Sequence, residues 1–552
     1  MKYNYLINKN IAILFCLLFL VPLAWGQKQK AYNRPKLVVG IVVDQMRFDY
    51  LTRFYGRYSN GGFRRLMHDG YECRNNHYNY IPTYTGPGHA SIFTGTTPKN
   101  HGIISNNWYD KFSGKNVYCA SDPNVKPVGT NSPLEKMSPH RMLTTTLGDQ
   151  NRLFTQMRGK TIGIAIKDRG AILPAGHSAN AAYWFRGKDD GQWVTTNYYR
   201  NELPDWVKNF NRKRVKKYLQ KWEPLYPIKS YTQSGGDLTD FDNGYEGKSE
   251  ATFPYDLPAL ANKNEGFDII KASPFGNTMT ADFAMEAIIN EELGKDEDTD
   301  VLTISFSSTD YVGHNFGVNS TEIEDTYLRL DQDIERLLNF LDKEVGQNEY
   351  TLFLTADHGA IHVPSYLKSV KIPAGYFEPK AFTEDLVAQV KNQFKTDSLI
   401  RNISNYQIFL NYKTLQENSI QSADVQNFIE QYLLAYEKID RVFTRRQLEQ
   451  ANYTEGIPAK IENGFHQKRS GDILFVLDPG YIIYSLKGST HGSGAPYDTH
   501  IPLLFYGKGI KKGYTHRETS VIDVVPTISS MLGIGFPNGS TGNVLYYLLE
   551  KE

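Results

Sequence analysis

Three aspartates and three histidines in this sequence stand where they could share cations. Asp44 directly follows the apolar run KLVVGIVV (36–43), and Asp310 and His314 lie four apart in SSTDYVGHNFG. Asp357 and His358 are adjacent in TADHGA, and His491 sits among small residues in STHGSGAPYD. The four-residue interval lets one helical turn or a tight loop present both side chains in one direction. Gly359 permits an unusual backbone path after His358. Carboxylate oxygen and imidazole nitrogen together suit two Zn²⁺ ions. Each motif alone is weak, since a lone D-x-x-x-H is usually a cap and a surface histidine; the combination carries the case. His89, His101, His177 and His500 are read as structural. A second feature is PTYTGPGHASIFTGTTP (82–98), where Thr83, Thr85, Ser91, Thr94, Thr96 and Thr97 offer hydroxyls to react. Composition does not choose among them.

The elements that must position these groups are legible as apolar runs. KLVVGIVV, TIGIAI (161–166), VLTISF (301–306), YTLFLTA (350–356) and IPLLFYG (501–507) are continuous rather than alternating. Such runs fit strands buried on both faces of a parallel sheet. Helical stretches lie between them at 280–293 and 320–345, and the alternation predicts an α/β sandwich. Asp44, Lys167, Arg169, Asp310, Asp357 and His358 all follow strands, and ligands of open α/β sheets bind beyond the carboxyl ends. Residues about 185–265 and 361–480 break the alternation and are read as insertions around that crevice, the second with a hairpin-like SGDILFVLDPGYIIYS.

Composition bounds the setting. The chain opens with a Lys-bearing segment and an apolar run of roughly 14 residues, with Ala24 and Gly26 suited to cleavage before Gln27. The run falls short of the ~20 residues that cross hydrocarbon. Phe15 before Cys16 is too bulky for a lipid-anchor signal. We therefore expect an export signal over 1–26, a mature chain over 27–552 in the periplasm or outside the cell, and no stable membrane insertion. Cys73 and Cys119 then remain, as one disulfide or two buried thiols; neither has zinc-thiolate spacing. A formal net charge of +1 argues against an electrostatic nucleic-acid binder. The length, 552 residues, exceeds what one core usually serves. A monomer is expected.

The motifs then resemble those of the alkaline phosphatase superfamily. The match runs in order from Asp44 through TGPGH, DYVGH, ADHG and THG to VIDVVPTISSMLGI, across nearly the whole mature chain. Within it the sequence is similar to the phosphate-irrepressible alkaline phosphatases of flavobacteria, of the type I phosphodiesterase/nucleotide pyrophosphatase-like group. The markers are Thr85 ahead of GPGHASIFTGTTP, Asn106 in HGIISNNWYD, and KDR at 167–169.

The resemblance implies an alkaline-phosphatase-like three-layer α/β sandwich with a mostly parallel sheet. It implies one zinc on Asp310, His314 and His491, and another on Asp44, Asp357, His358 and the Thr85 hydroxyl. Thr85 becomes the nucleophile, forming a phosphothreonine. Gly86 and Gly88 keep its approach open, Pro87 suits a first helical turn, and the helix N-terminus favours a phosphate anion. Lys167 and Arg169, two apart on an extended segment, point to one side. With Asn106 they bind the extra oxygen of a monoester, Arg as a fork and Lys as a point charge. The family's third metal, magnesium, has no Asp/Thr/Glu set here; Lys167 and Arg169 take its place. No C/S-x-P-x-R signature surrounds either mature cysteine, so sulfate esters should be poor substrates. The expected function is a broad phosphomonoesterase that scavenges phosphate. A phosphodiesterase or nucleotide pyrophosphatase on the same fold, and a non-catalytic metal-binding protein, are the alternatives.

Overall fold

The computed structural model describes residues 33–188 and 191–550. The expected export signal and Cys16 lie outside the described residues. In chain order the main sheet uses β1 (Leu37–Val43), β2 (Tyr71–His77), β3 (Pro127–Val128), β4 (Thr161–Ala165) and β5 (Ala181–Arg186). It continues with β6 (Gln192–Thr196), β7 (Asp300–Phe306), β8 (Tyr350–Thr355), β9 (Leu503–Gly507) and β10 (Gly513–Ser520). Their spatial order is β10-β2-β9-β8-β1-β7-β4-β5-β6-β3. The five strands β8, β1, β7, β4 and β5 are mutually parallel. All seven residues of β1 are buried, which is why this stretch reads as an unbroken apolar run.

Side-chain alternation assigns each face of the sheet its own helices. Ile162, Ile164 and Tyr183 share a core with Phe283 of α3 (Pro274–Asn290) and Ile334 of α5 (Thr321–Leu341). Tyr183 and Phe283 meet edge to face at 5.6 Å. Ala165, Ala182 and Trp184 instead pack with Ala90 of α1 (Thr85–Thr94) and Ala171 of α2 (Asp168–Ala175). The result is the three-layer sandwich. Between α3 and α5 in the chain lies α4 (Ser308–Phe316), directly after β7.

Several expectations need correction. β9 pairs antiparallel with both β8 and β2; its apolar run reflects burial on two faces, which says nothing of strand direction. The segment at 185–265 is not wholly an insertion, because its first residues complete β5 and supply β6. Residues 361–480 contain a separate antiparallel sheet of Ile400–Ser404, Gln407–Leu410, Ile473–Leu477 and Ile439–Thr444. Leu386, Ile408, Val425, Ile429 and Phe475 form its own core. The hairpin expected within it does not form. Tyr481 N–H closes a turn on Asp478 O, but Tyr481–Ile482 then pairs with Gly375–Tyr376. Cys73 and Cys119 are both free and buried, in separate cores.

The docking of α1 explains one small residue in the hydroxyl-rich stretch. A Cβ on Gly88 would stand 2.5 Å from Asp357 O and 2.8 Å from Asp357 Cβ. Gly88 therefore lets the first turn of α1 seat on the backbone just past β8, rather than merely keeping an approach open. Gly88→Ala should destabilise the fold by about 1–3 kcal/mol, the usual cost of overpacking. Urea unfolding checks this, and a curve superimposable on the parent's contradicts it.

Candidate active site

The carboxyl ends of β1, β7 and β8 carry Asp44, Asp310 and Asp357, and all three are buried. α4 begins immediately after β7, so Asp310 and His314 occupy successive turns, with His314 Nε2 3.2 Å from Asp310 Oδ1. The loop after Gly488 brings in His491, whose Nε2 lies 3.6 Å from the same oxygen. His358 stacks on His491 with ring centroids 3.4 Å apart. Its backbone path is set by Gly359, where a Cβ would collide with Tyr497 O; close approach, not a positive φ, is what needs glycine there.

The three imidazoles share one arrangement. His314 Nδ1 donates to Ser489 O at 2.7 Å, His358 Nδ1 to Gly359 O at 3.0 Å, and His491 Nδ1 to Thr83 O at 2.7 Å. Each bond turns Nε2 toward the carboxylates, the orientation expected of metal ligands; burial would lower His314, but Asp310 beside its Nε2 overrides it and raises that ring above its ordinary value. One ligand atom from each of Asp44, Asp357 and His358 lies within 4.8 Å of the others. The same holds for Asp310, His358 and His491. Asp44 Oδ1 and Asp357 Oδ2 are buried with no hydrogen-bond donor. Buried carboxylate oxygens in that state call for a cation, so the donor set fits a metal; His358 is common to both groups, and His314, expected beside Asp310 and His491, belongs to neither.

Electrostatics describe the strain among these groups. Burial, with Asp310 nearby, pushes Asp44 up to about 6. Burial and Asp44 raise Asp357 well above the carboxylate range. Burial acts in the same direction on Asp310, but His314 and Lys167 override it and hold that carboxyl well below its ordinary value. Burial lowers His491 to about 3 and His358 well below its ordinary value, so both rings are neutral.

Thr85 is the first residue of α1, and its Oγ1 lies 3.5 Å from His358 Nε2. One turn along, His89 Nδ1 donates to Thr85 O at 2.8 Å and Nε2 accepts from Ser305 Oγ at 2.8 Å. The expected crown of free N–H groups is small. Gly86 N–H donates to Asn106 Oδ1 at 2.7 Å, Gly88 N–H to Tyr84 O at 2.8 Å, and Pro87 has none. The N–H groups of Gly86 and Gly88 are therefore already committed within the protein. The bond to Gly86 fixes the Asn106 amide and leaves Nδ2 as its donor.

Lys167 and Arg169 are not on an extended segment: Lys167 caps α2 and Arg169 lies in its first turn. They nevertheless line one cleft, with Tyr311. Lys167 Nζ reaches Asp310 Oδ2 at 2.6 Å and Asp44 Oδ2 at 2.7 Å, a fixed cation between two of the strand ends. Arg169 Nη1 donates to the Tyr118 hydroxyl at 3.2 Å, and that hydroxyl donates to Asp168. Sequence reasoning missed Tyr118, 51 residues from Arg169, because no local pattern marks such a partner. It also passed over Tyr484, whose ring stacks on His314 at 5.7 Å.

This geometry agrees with the comparisons to known proteins. The family model for type I phosphodiesterase/nucleotide pyrophosphatase matches residues 38–501. A relative from Myroides odoratus, named a calcium-transporting ATPase, is 44% identical over 94% of this chain and 95% of its own. Alkaline phosphatase PafA of Elizabethkingia meningoseptica is 43% identical over 95% and 96%. A crystal structure of wild-type PafA superposes with a TM-score of 0.90 at 43% identity, covering 94% of this chain and 99% of that one. Among the described residues no helix is long and apolar enough to cross a membrane. The chain belongs to the type I phosphodiesterase/nucleotide pyrophosphatase family, with the fold of PafA.

Proposed function

We propose that this chain is an exported, two-zinc alkaline phosphatase that hydrolyses phosphate monoesters of broad specificity through a phosphothreonine on Thr85. The observation that carries the reading is the Thr85 hydroxyl at the N-terminus of α1, 3.5 Å from His358 Nε2 and beside two buried carboxylate–imidazole groups. The name of PafA supports it. Asp310, His314 and His491 would hold one zinc, and Asp44, Asp357, His358 and Thr85 the other. Bound zinc supplies Lewis acidity, which lowers the pKa of an adjacent hydroxyl and offsets charge on phosphoryl oxygens. The Lys-bearing apolar N-terminus and its small residues before Gln27 support export.

The side chains account for the rest. α1 fixes Thr85 Oγ1 for in-line attack, and His89 anchors its carbonyl from the next turn. Asn106 Nδ2 and the Arg169 guanidinium bind phosphoryl oxygens. Lys167, held between Asp44 and Asp310, keeps a positive charge at the base of the site where a third metal would otherwise be needed. Burial would lower Lys167, but Asp310 and Asp44 override it and keep the amine protonated. A monoester presents one more free oxygen than a diester, so this set of donors favours the monoester.

Thr85→Ala should lower kcat on an aryl phosphate by on the order of 10³-fold or more, as loss of a nucleophile does, while zinc stays near two per chain. Steady-state rates with metal analysis test this; full activity in the variant overturns the nucleophile. Arg169→Ala should cost about 10- to 100-fold in kcat/KM on a monoester, the worth of hydrogen bonds to a charged group, and less on the matching diester. Equal losses would instead favour a phosphodiesterase on this fold.

A further inference from the structure

Gln45 occupies an unusual position for its chemistry. It follows Asp44 directly, is 2% exposed, and has φ +65, a left-handed conformation uncommon for a residue with a side chain. Such backbone persists where surrounding structure holds it in place, and it clusters at functional sites. Two bonds hold it here. Its backbone N–H donates to Asp357 Oδ1 at 3.1 Å, and its side-chain Nε2 donates to Asp310 Oδ1 at 2.7 Å. One residue at the end of β1 thus reaches the carboxylates at the ends of β8 and β7.

An independent feature points the same way. A Cβ on Gly313 would fall on Gln45 Oε1. Gly313 lies in α4 between Asp310 and His314, where alanine is the better helix former by about 1 kcal/mol. Glycine at that point gives the Gln45 amide its space.

We propose that Gln45 is a positioning residue that joins the two halves of the metal site. The inference rests on the two-zinc reading above. The N–H bond occupies Asp357 Oδ1 and leaves Oδ2 as the oxygen without a donor. The amide bond holds Asp310 Oδ1 where the Nε2 atoms of His314 and His491 converge on it. The side chain thereby governs the half-site containing Asp310, and the backbone N–H governs the half-site containing Asp357.

The test uses the zinc-loaded mature protein, its Gln45→Gly, Gln45→Met and Gly313→Ala variants, and zinc retention against a graded chelator. Gln45→Gly relaxes the backbone and Gln45→Met keeps the volume; both lose the donor to Asp310 and retain the N–H to Asp357. Gly313→Ala displaces the amide from the other side. The expected result in all three is about 10- to 100-fold weaker retention of one zinc, the usual cost of losing a ligand's supporting hydrogen bond. The second zinc and the thermal midpoint of the zinc-stripped Gln45 variants should be unchanged. Parental retention of both ions in Gln45→Gly and Gln45→Met overturns the role of Gln45 alone. Equal weakening of both ions, or a matching fall in the stripped midpoint, shows a merely structural residue and also overturns it. A parent that holds no zinc overturns the two-zinc reading, and this inference with it.

Discussion

Three carboxylates buried side by side are the constraint on which the rest of this structure depends. Asp44, Asp310 and Asp357 lie just beyond the ends of strands whose own residues are wholly buried, and are themselves buried, so water cannot solvate them. Removing one carboxylate from water costs several kcal/mol even after relaxation. Lys167 is the one lysine or arginine within salt-bridge reach of Asp44 or Asp310 among the described residues, and it makes no ion pair with Asp357, whose Oδ2 has no hydrogen-bond donor. The three imidazoles add nitrogen donors, those of His358 and His491 neutral. A site built this way is poorly suited to stand without further positive charge, and its donor atoms are those zinc prefers.

The parallel sheet makes that convergence possible. β8, β1 and β7 are adjacent and in register, Leu37 opposite both Asp300 and Tyr350, so their carboxyl ends finish level. Close packing then requires small residues at chosen points. A Cβ on Gly40 would stand 2.7 Å from Phe353 and 2.8 Å from Phe93, so glycine in mid-strand lets α1 lie tight against the sheet. Gly88 brings the start of the same helix onto Asp357. The Thr85 hydroxyl and the carboxylates are thus placed by one packed interface.

The sequence exposed the parts of this arrangement that follow from local chemistry. Strands buried on both faces must be continuously apolar, and residues ending them must turn toward the crevice, so Asp44, Asp310 and Asp357 stood out. His314 followed from its four-residue interval. What depends on long-range partners did not show. β9 has the same apolar look as its parallel neighbours. Lys167 and Arg169 open a helix because α2 starts immediately after β4, which a polar tripeptide does not announce. Gln45 looks like an ordinary polar residue until its backbone angle and its two acceptors, 265 and 312 residues away, are seen together. Tyr118 is known only through Arg169.

The central claim is that these scattered side chains form one bimetallic cradle beside Thr85. Anomalous diffraction at the zinc edge, on crystals of the protein as isolated, measures this directly. The account predicts two peaks about 4 Å apart, the spacing of two-metal phosphoryl-transfer sites, among Asp44, Asp310, His314, Asp357, His358 and His491. An empty cluster, or zinc only elsewhere on the molecule, would contradict it.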